Sequence, residues 1–329
     1  MFGRSSVRLV CVLALVASAV VLAPAAASAT APKQVNPKYN IALPWYSECS
    51  SPSSLACSTK VLGALNVARK TVNGTTYSLP ANFLKLTSVE QLLVLTNVDR
   101  AYYGQQPVLG LNSTLNTAAI GGVKSDADPG LVAKIAGKAE SLYAANWATG
   151  SGEYANVLAA YYGWMYDDGL NKDGSKPSNL DCTKAKPAGC WGHRVDILQS
   201  SKAGTQRFMG AAGGADPRFH GCTAWAAIWE NFASPKSGAA IPTIPTVTGL
   251  SPASGKHTAT TAVTVTGYGF YGVSNAYVWA VSSKVAVVSG TKVTVTAPKH
   301  ATAGTSGHLT VKTSGGTSSV TPAALFAYT

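Results

Sequence analysis

The chain has 329 residues, a formal net charge of +12 and a sparse complement of charged side chains, 12% in all. Its basic residues are scattered and form no helix-length run, which excludes sequence-specific nucleic-acid recognition. The cationic balance fits anionic polymers such as cell-wall phosphates or acidic glycans.

Residues 1–29 have the layout of a secretory signal peptide. Arg4 and Arg8 form a basic start, residues 9–22 an apolar centre, and Ala27-Ser28-Ala29 a small-residue cleavage site. The competing reading is an uncleaved membrane anchor, which the Ala-rich run and Pro24 oppose. Cys11 lies inside the apolar centre, which argues against a lipid-modified cysteine. Cleavage removes two arginines and no acid, leaving +10 on a secreted, extracellular chain. Nothing after residue 29 is apolar for long enough to span a membrane.

Residues 30–84 read as an N-terminal extension, and 85–233 as the first domain. Five cysteines remain after cleavage. Outside the cytoplasm pairing is expected, and the short spacings favour Cys49–Cys57 and Cys182–Cys190, leaving Cys222 over and expected to be buried. Residues 88–103 form the best helix: Ser88 with Gln91 offers a capping box, Val89, Leu92, Leu93 and Val98 recur near helical spacing, and Gly104 ends it. Residues 115–123 and 155–166 are also predicted helical. The run 221–232 fits a buried strand or a helix, and periodicity alone leaves both open.

The stretch 164–198 gathers the rare and reactive residue types. Trp164, Asp167, Asp168, Cys182, Cys190, Trp191 and His193 share one loop-rich segment broken at Asp173-Gly174 and Pro187-Ala188-Gly189. A Cys182–Cys190 bridge would staple the insertion and present Trp191-Gly192-His193 at a fixed place.

Residues 234–245, rich in Pro, Gly and Ser, read as a linker between domains. Beyond it, seven runs rich in β-branched residues, at 246–250, 262–267, 277–279, 285–288, 292–297, 308–313 and 324–328, predict a small β-sandwich over residues 246–329.

The pattern Asn97, Arg100, Gly104, Pro107, Leu109 and Leu115 resembles the opening helix of the CAP superfamily of cysteine-rich secretory, antigen 5 and pathogenesis-related proteins. "CWGHRVDIL" at 190–198 and "AANWATG" at 144–150 are similar to two later segments of that family, nearest to its actinobacterial secreted members. The resemblance implies an α-β-α sandwich. "LSPASG" at 250–255, "VTGYGF" at 265–270 and "VTAP" at 295–298 resemble the IPT/TIG domain, with an immunoglobulin-like fold. The resulting fold class is α+β: an α-β-α sandwich followed by an all-β sandwich.

CAP proteins often hold a divalent cation between two His and two Glu. By resemblance His193 stands for the second His and Asp167 for the second Glu. Ala145 replaces the first Glu, and Asp126 or Asp128 falls where the first His would be. His193 and Asp167 are therefore the candidate metal ligands, and also the candidates for any catalysis; the competing role is structural, with Asp167 orienting His193. Trp164, Asp167, Trp191 and His193 are the candidate ligand-binding set, against core packing for the tryptophans. A two-acid mechanism would need Asp167 beside Glu153 or Glu140, and Cys222 near His220 raises a thiol hydrolase that the buried-cysteine reading outweighs. Asn73 and Asn112 head formal glycosylation signals and read as ordinary loop residues. The chain thus reads as an extracellular binding or adhesion factor, recognising a cell-surface glycan, lipid or protein without turnover or cofactor. The alternative is a cell-wall or peptide hydrolase using His193 with a carboxylate.

Overall fold

The computed structural model describes residues 41, 43–167, 192–233 and 241–329. The signal-peptide reading at residues 1–29, Asp168, the Cys182–Cys190 pair and Trp191 lie outside them.

Helix α1 (Leu55–Asn73) begins where the Ser54 hydroxyl accepts the Cys57 N–H at 3.1 Å and ends at Gly74, whose φ of 73° suits a left-handed cap. A Cys49–Cys57 disulfide ties the preceding 3-10 turn to its first turn. Val61, Leu65 and Ala68 of α1, which falls within residues 30–84, are fully buried in the same core as the helices that follow. Helix α2 (Ser88–Tyr102) is capped one residue before the predicted Ser88. Thr87 is the cap, and its N–H donates to the Glu90 carboxylate at 2.9 Å, while Gln91 turns inward and donates to the Leu86 carbonyl at 3.0 Å. Residues 90–97 of α2 are all buried, so this is a central helix covered on every side.

Asn112 caps helix α3 (Ser113–Ser125), accepting the Thr114 and Leu115 N–H groups at 2.9 and 3.2 Å; at 1% exposure it is closed to glycosylation. Strands β1 (Lys134–Ile135) and β2 (Lys138–Gly150), helices α4 (Val157–Tyr166) and α5 (Gly192–Leu198), and strands β3 (Thr205–Ala215) and β4 (Thr223–Ala233) complete the domain. The sheet is antiparallel with order β1-β2-β4-β3. The ambiguous run 221–232 is therefore its central strand, with Trp225, Ala227 and Trp229 on one face and Ala224, Ala226 and Ile228 on the other. Burial on both faces erased the alternation that would have marked it as a strand.

Two cores flank the sheet. One face packs against α1, α2 and α4 through Met209, Ala211, Ala227 and Trp229. The other receives Leu115, Ala119 and Val123 of α3 on Phe208, Ala226, Ile228 and Phe232. The result is three layers, helix, sheet, helix. Helix α3 lies so close that a Cβ on Gly210 would come within 2.1 Å of the Leu115 carbonyl carbon. Gly210→Ala must push α3 off the sheet, and we expect a loss of about 3 kcal/mol, the upper end for an overpacked core. Urea denaturation followed by tryptophan fluorescence checks this; a loss below about 1 kcal/mol would show that α3 can shift freely.

The second domain contains β5 (Thr246–Ser251), β6 (Ser254–Gly255), β7 (Thr261–Tyr268), β8 (Asn275–Val278), β9 (Val281–Ser283), β10 (Val285–Ser289), β11 (Lys292–Ala297), β12 (Ser306–Thr313), β13 (Gly316–Thr317) and β14 (Leu325–Tyr328). All seven predicted strands are among them. Sheets of order β10-β11-β7-β5 and β6-β14-β12-β8-β9 enclose Val263, Val265, Val293 and Val295 against Val278, Leu309, Val311 and Phe326. The β8–β9 turn places Trp279 and Ala280 at φ of 51° and 62°, and the Trp279 indole stacks on His300 at 4.5 Å between ring centroids.

Residues 241–245 do not behave as a free linker. Ile241 and Thr243 are 2% and 0% exposed, the Ile244 N–H donates to the Leu111 carbonyl at 2.8 Å, and Asn112 Nδ2 donates to the Pro242 carbonyl at 2.7 Å. The backbones of Gly110 and Gly269 approach closely enough that a Cβ on Gly110 would lie 3.0 Å from the Gly269 Cα. Ala323 of the second domain joins the first domain's core. Apolar Ile241 and Ile244, set among Pro and Gly, drive this docking.

Candidate functional site

Of the residues singled out in the sequence, Asp167 and His193 lie on the two sides of the joint between α4 and α5. Asp167 caps α4, 1% exposed, with its N–H shared between the Tyr162 and Gly163 carbonyls at 3.2 and 3.3 Å. His193 lies in the first turn of α5, 6% exposed, and its carbonyl accepts from Asn146 Nδ2 of β2 at 3.0 Å. Arg194 Nε donates to the Met165 carbonyl at 2.7 Å, and its guanidinium lies 5.7 Å from the Tyr166 ring centroid. These contacts clamp the start of α5 onto the end of α4. Burial, then the charges of Glu153 and Asp167, raise the Tyr154 phenol to about 12; burial and Asp167 likewise raise Tyr162. Both phenols therefore stay protonated at neutral pH.

The rest of the expected pocket is dispersed. Ala145 packs in the core beneath α3, so side chains at 145 and 146 project to opposite faces of β2. Asp126 caps α3 in the left-handed region, φ 51°, and its carboxylate accepts from Arg218 Nε at 2.7 Å. Burial, followed by the adjacent Asp216 carboxylate, raises its pKa. Among the described residues, no three His, Cys, Asp or Glu side chains converge to hold a metal ion. Trp164 is core: 1% exposed, edge-on to Trp229 at 6.3 Å, its Nε1 donating to the Trp147 carbonyl at 3.4 Å. Trp147, at 2%, is equally closed to a ligand. Cys222, expected to be buried, is half-buried in the β3–β4 turn, where its carbonyl accepts the Asp216 N–H at 3.0 Å.

Asn97 and Arg100, which support the family resemblance, hold the loop after α2 and the end of α5. The Asn97 amide exchanges hydrogen bonds with the backbone of Val108 at 2.7 and 2.9 Å. Arg100 donates to the Gln106 carbonyl at 2.7 Å and to the Ile197 and Gln199 carbonyls at 2.8 and 2.9 Å, a guanidinium on a helix C-terminus. Arg207 joins it, donating to Asn231 Oδ1 at 3.0 Å and Gln199 Oε1 at 3.1 Å. Burial lowers both, Arg100 to about 9 with help from the Arg207 charge, and Arg207 to about 10 against the pull of Asp196 and Glu140. Sequence reasoning passed over Arg207; a cation inside the apolar run "RFMGAA" was the available signal.

Residues 245–328 match the family described as IPT/TIG domain. The second domain is an IPT/TIG domain. No match to the CAP family is found, and no curated protein matches the chain. Two of the solved structures that align with it, both titled as the full extracellular region of Plexin A4, are 16% identical, cover 39% of this chain and have a TM-score of 0.23. The chain spans 14% and 12% of their lengths. In the IPT/TIG domain the landmark "VTGYGF" ends β7 and turns through Gly269, φ 75°, beside the first domain.

Proposed function

We propose that the chain is a secreted, non-catalytic binding protein acting at a bacterial cell surface, with a CAP-like first domain docked on its IPT/TIG domain. The burial of His193 and Asp167 supports this reading most directly. A general acid or base must come within hydrogen-bond reach of its substrate. Both residues instead lie closed within the α4–α5 joint. The helix-sheet-helix layering, together with Asn97, Arg100 and the segment at His193, supports the CAP-like assignment. The Cys49–Cys57 bridge suits an oxidising, extracellular setting.

Residues 30–329 should adhere to isolated cell walls and show no turnover of peptidoglycan, peptides or esters. On this reading the His193 imidazole is oriented by the Asp167 carboxylate, so His193→Ala should weaken stability or adhesion modestly, by about 1–2 kcal/mol for that one hydrogen bond. Turnover by the unmodified protein that disappears in a folded His193→Ala variant would replace this reading with a hydrolase.

A further inference from the structure

We propose that the end of the IPT/TIG domain remote from the first domain docks the chain onto a phosphodiester polymer of the cell surface, with Lys256, Lys284 and Lys299 as the contacting cations. This domain is built without a carboxylate side chain. All 14 acidic residues of the chain lie between Glu48 and Glu230, whereas residues 246–329 carry five lysines, three histidines and no Asp or Glu. A lysine here has no oppositely charged side chain to pair with in its own domain, so its field reaches solvent uncancelled.

Topology sorts these cations. The first domain and segment 241–245 dock where β5 begins and β7 and β12 end, through the Ile244–Leu111 hydrogen bond, the Gly110–Gly269 approach and a bond from the Thr313 hydroxyl to the Thr243 carbonyl. Lys292 and Lys312, paired with Thr266 and Asn275, belong to that end. The opposite end gathers the rest. Lys256 follows β6, Lys299 follows β11, and Lys284 stands at the crossover from β9 to β10, its carbonyl accepting the Thr296 N–H at 2.9 Å; all three are exposed. The three histidines are there as well: the His300 N–H donates to the His257 carbonyl at 2.9 Å, which brings the neighbouring Lys256 and Lys299 together, and the His308 carbonyl accepts the Trp279 N–H at 3.1 Å. The domain therefore has an electropositive pole that points away from its partner domain.

The base beneath these lysines is fixed. His300 stacks on both Trp279 and Tyr328, at 4.5 and 4.9 Å between ring centroids, and its Nδ1 accepts the Thr302 N–H at 3.3 Å. The stack ties the β8–β9 turn and the loop 298–305 to the last strand, and Gly307 leaves room for it, since a Cβ there would lie 2.7 Å from that of Trp279. A preformed surface spends less ordering entropy when a polymer settles across it.

The type of cation indicates the type of anion. Residues 246–329 contain no arginine, hence no planar fork to grip a carboxylate through two parallel bonds. Compact ammonium groups on separate loops suit a chain of spaced phosphates, which they attract as point charges without demanding one orientation.

This inference rests on the binding reading but fails separately from it. Calorimetric titration of residues 30–329 at neutral pH would compare poly(glycerol phosphate), polygalacturonate, neutral dextran and vesicles of phosphatidylglycerol in phosphatidylcholine. Poly(glycerol phosphate) should bind most tightly, by at least about fivefold over polygalacturonate, and lose affinity steeply as salt rises. Replacing Lys256, Lys284 and Lys299 together by Ala should weaken binding on the order of tenfold and flatten the salt dependence, because three ammonium–phosphate contacts are lost. The matched triple Lys124→Ala, Lys292→Ala, Lys312→Ala removes the same charge elsewhere and should cost less than about threefold. Equal losses in the two triples would reduce the effect to net charge and overturn the proposal. Polygalacturonate or the vesicles binding as tightly as poly(glycerol phosphate) would overturn it too, in favour of an acidic glycan or a membrane. Failure of poly(glycerol phosphate) to bind, while the chain still adheres to isolated walls, overturns this surface and leaves the binding reading standing.

Discussion

Replacing Asp99 with Asn should destabilise the first domain by about 3–5 kcal/mol, the cost of leaving one member of a buried ion pair uncompensated. Asp99 is 0% exposed and Arg69 3% exposed, and the Arg69 guanidinium donates directly to the Asp99 carboxylate. The Tyr77 and Tyr161 hydroxyls donate to its other oxygen, each at 2.7 Å, and the Tyr166 hydroxyl hydrogen-bonds to that of Tyr77. Burial opposes the charge on Arg69, but the carboxylate beside it prevails and raises the guanidinium's pKa. This network joins α1, α2 and α4, so its loss loosens three helices together. Urea unfolding of Asp99→Asn, Arg69→Met and the double variant forms the test. The double variant should lose less than the sum of the singles, because no lone charge remains. A single-variant loss below about 1 kcal/mol would show that water enters this site and screens it.

Glu230 should make stability fall as pH rises from about 4.5 to about 7. It sits 0% exposed on β4, and its Oε1 accepts the Val132 N–H at 2.5 Å while Oε2 has no partner. Burial, aided by the Glu140 charge and opposed by the Val132 hydrogen bond, raises its pKa from 4.5 to about 7. The folded protein therefore holds a proton that the unfolded chain releases across this window. The associated stability is fully present below the unfolded value and lost as pH passes the folded one; it amounts to at most about 3 kcal/mol. Glu230→Gln keeps an acceptor for Val132 and removes the titration. Its stability relative to the unmodified protein should improve between pH 4.5 and pH 8. A difference that is constant across that range would mean the Glu230 carboxyl titrates normally.

Local patterns determined a good deal. Helix positions were legible wherever a cap and apolar spacing coincided, as over 88–103, and β-branched runs between Gly and Pro turns marked the strands of the IPT/TIG domain, because its two-sheet core keeps one face of each strand polar. The Cys49–Cys57 bridge followed from an eight-residue spacing. What the chain alone left undecided depended on residues distant in sequence. The run at 221–232 became a strand because β2 and β3 pair on either side of it and helices cover both faces. Asp99 found its charge partner 30 residues away, and the loop residues around Lys202 face Tyr271 of the other domain. His193 and Trp164 were candidates for binding a ligand, with core packing the competing reading for the tryptophan, and both are buried against β2 and its neighbours. Type and spacing reveal which residues can do chemistry; only packing decides which of them water or a ligand can reach.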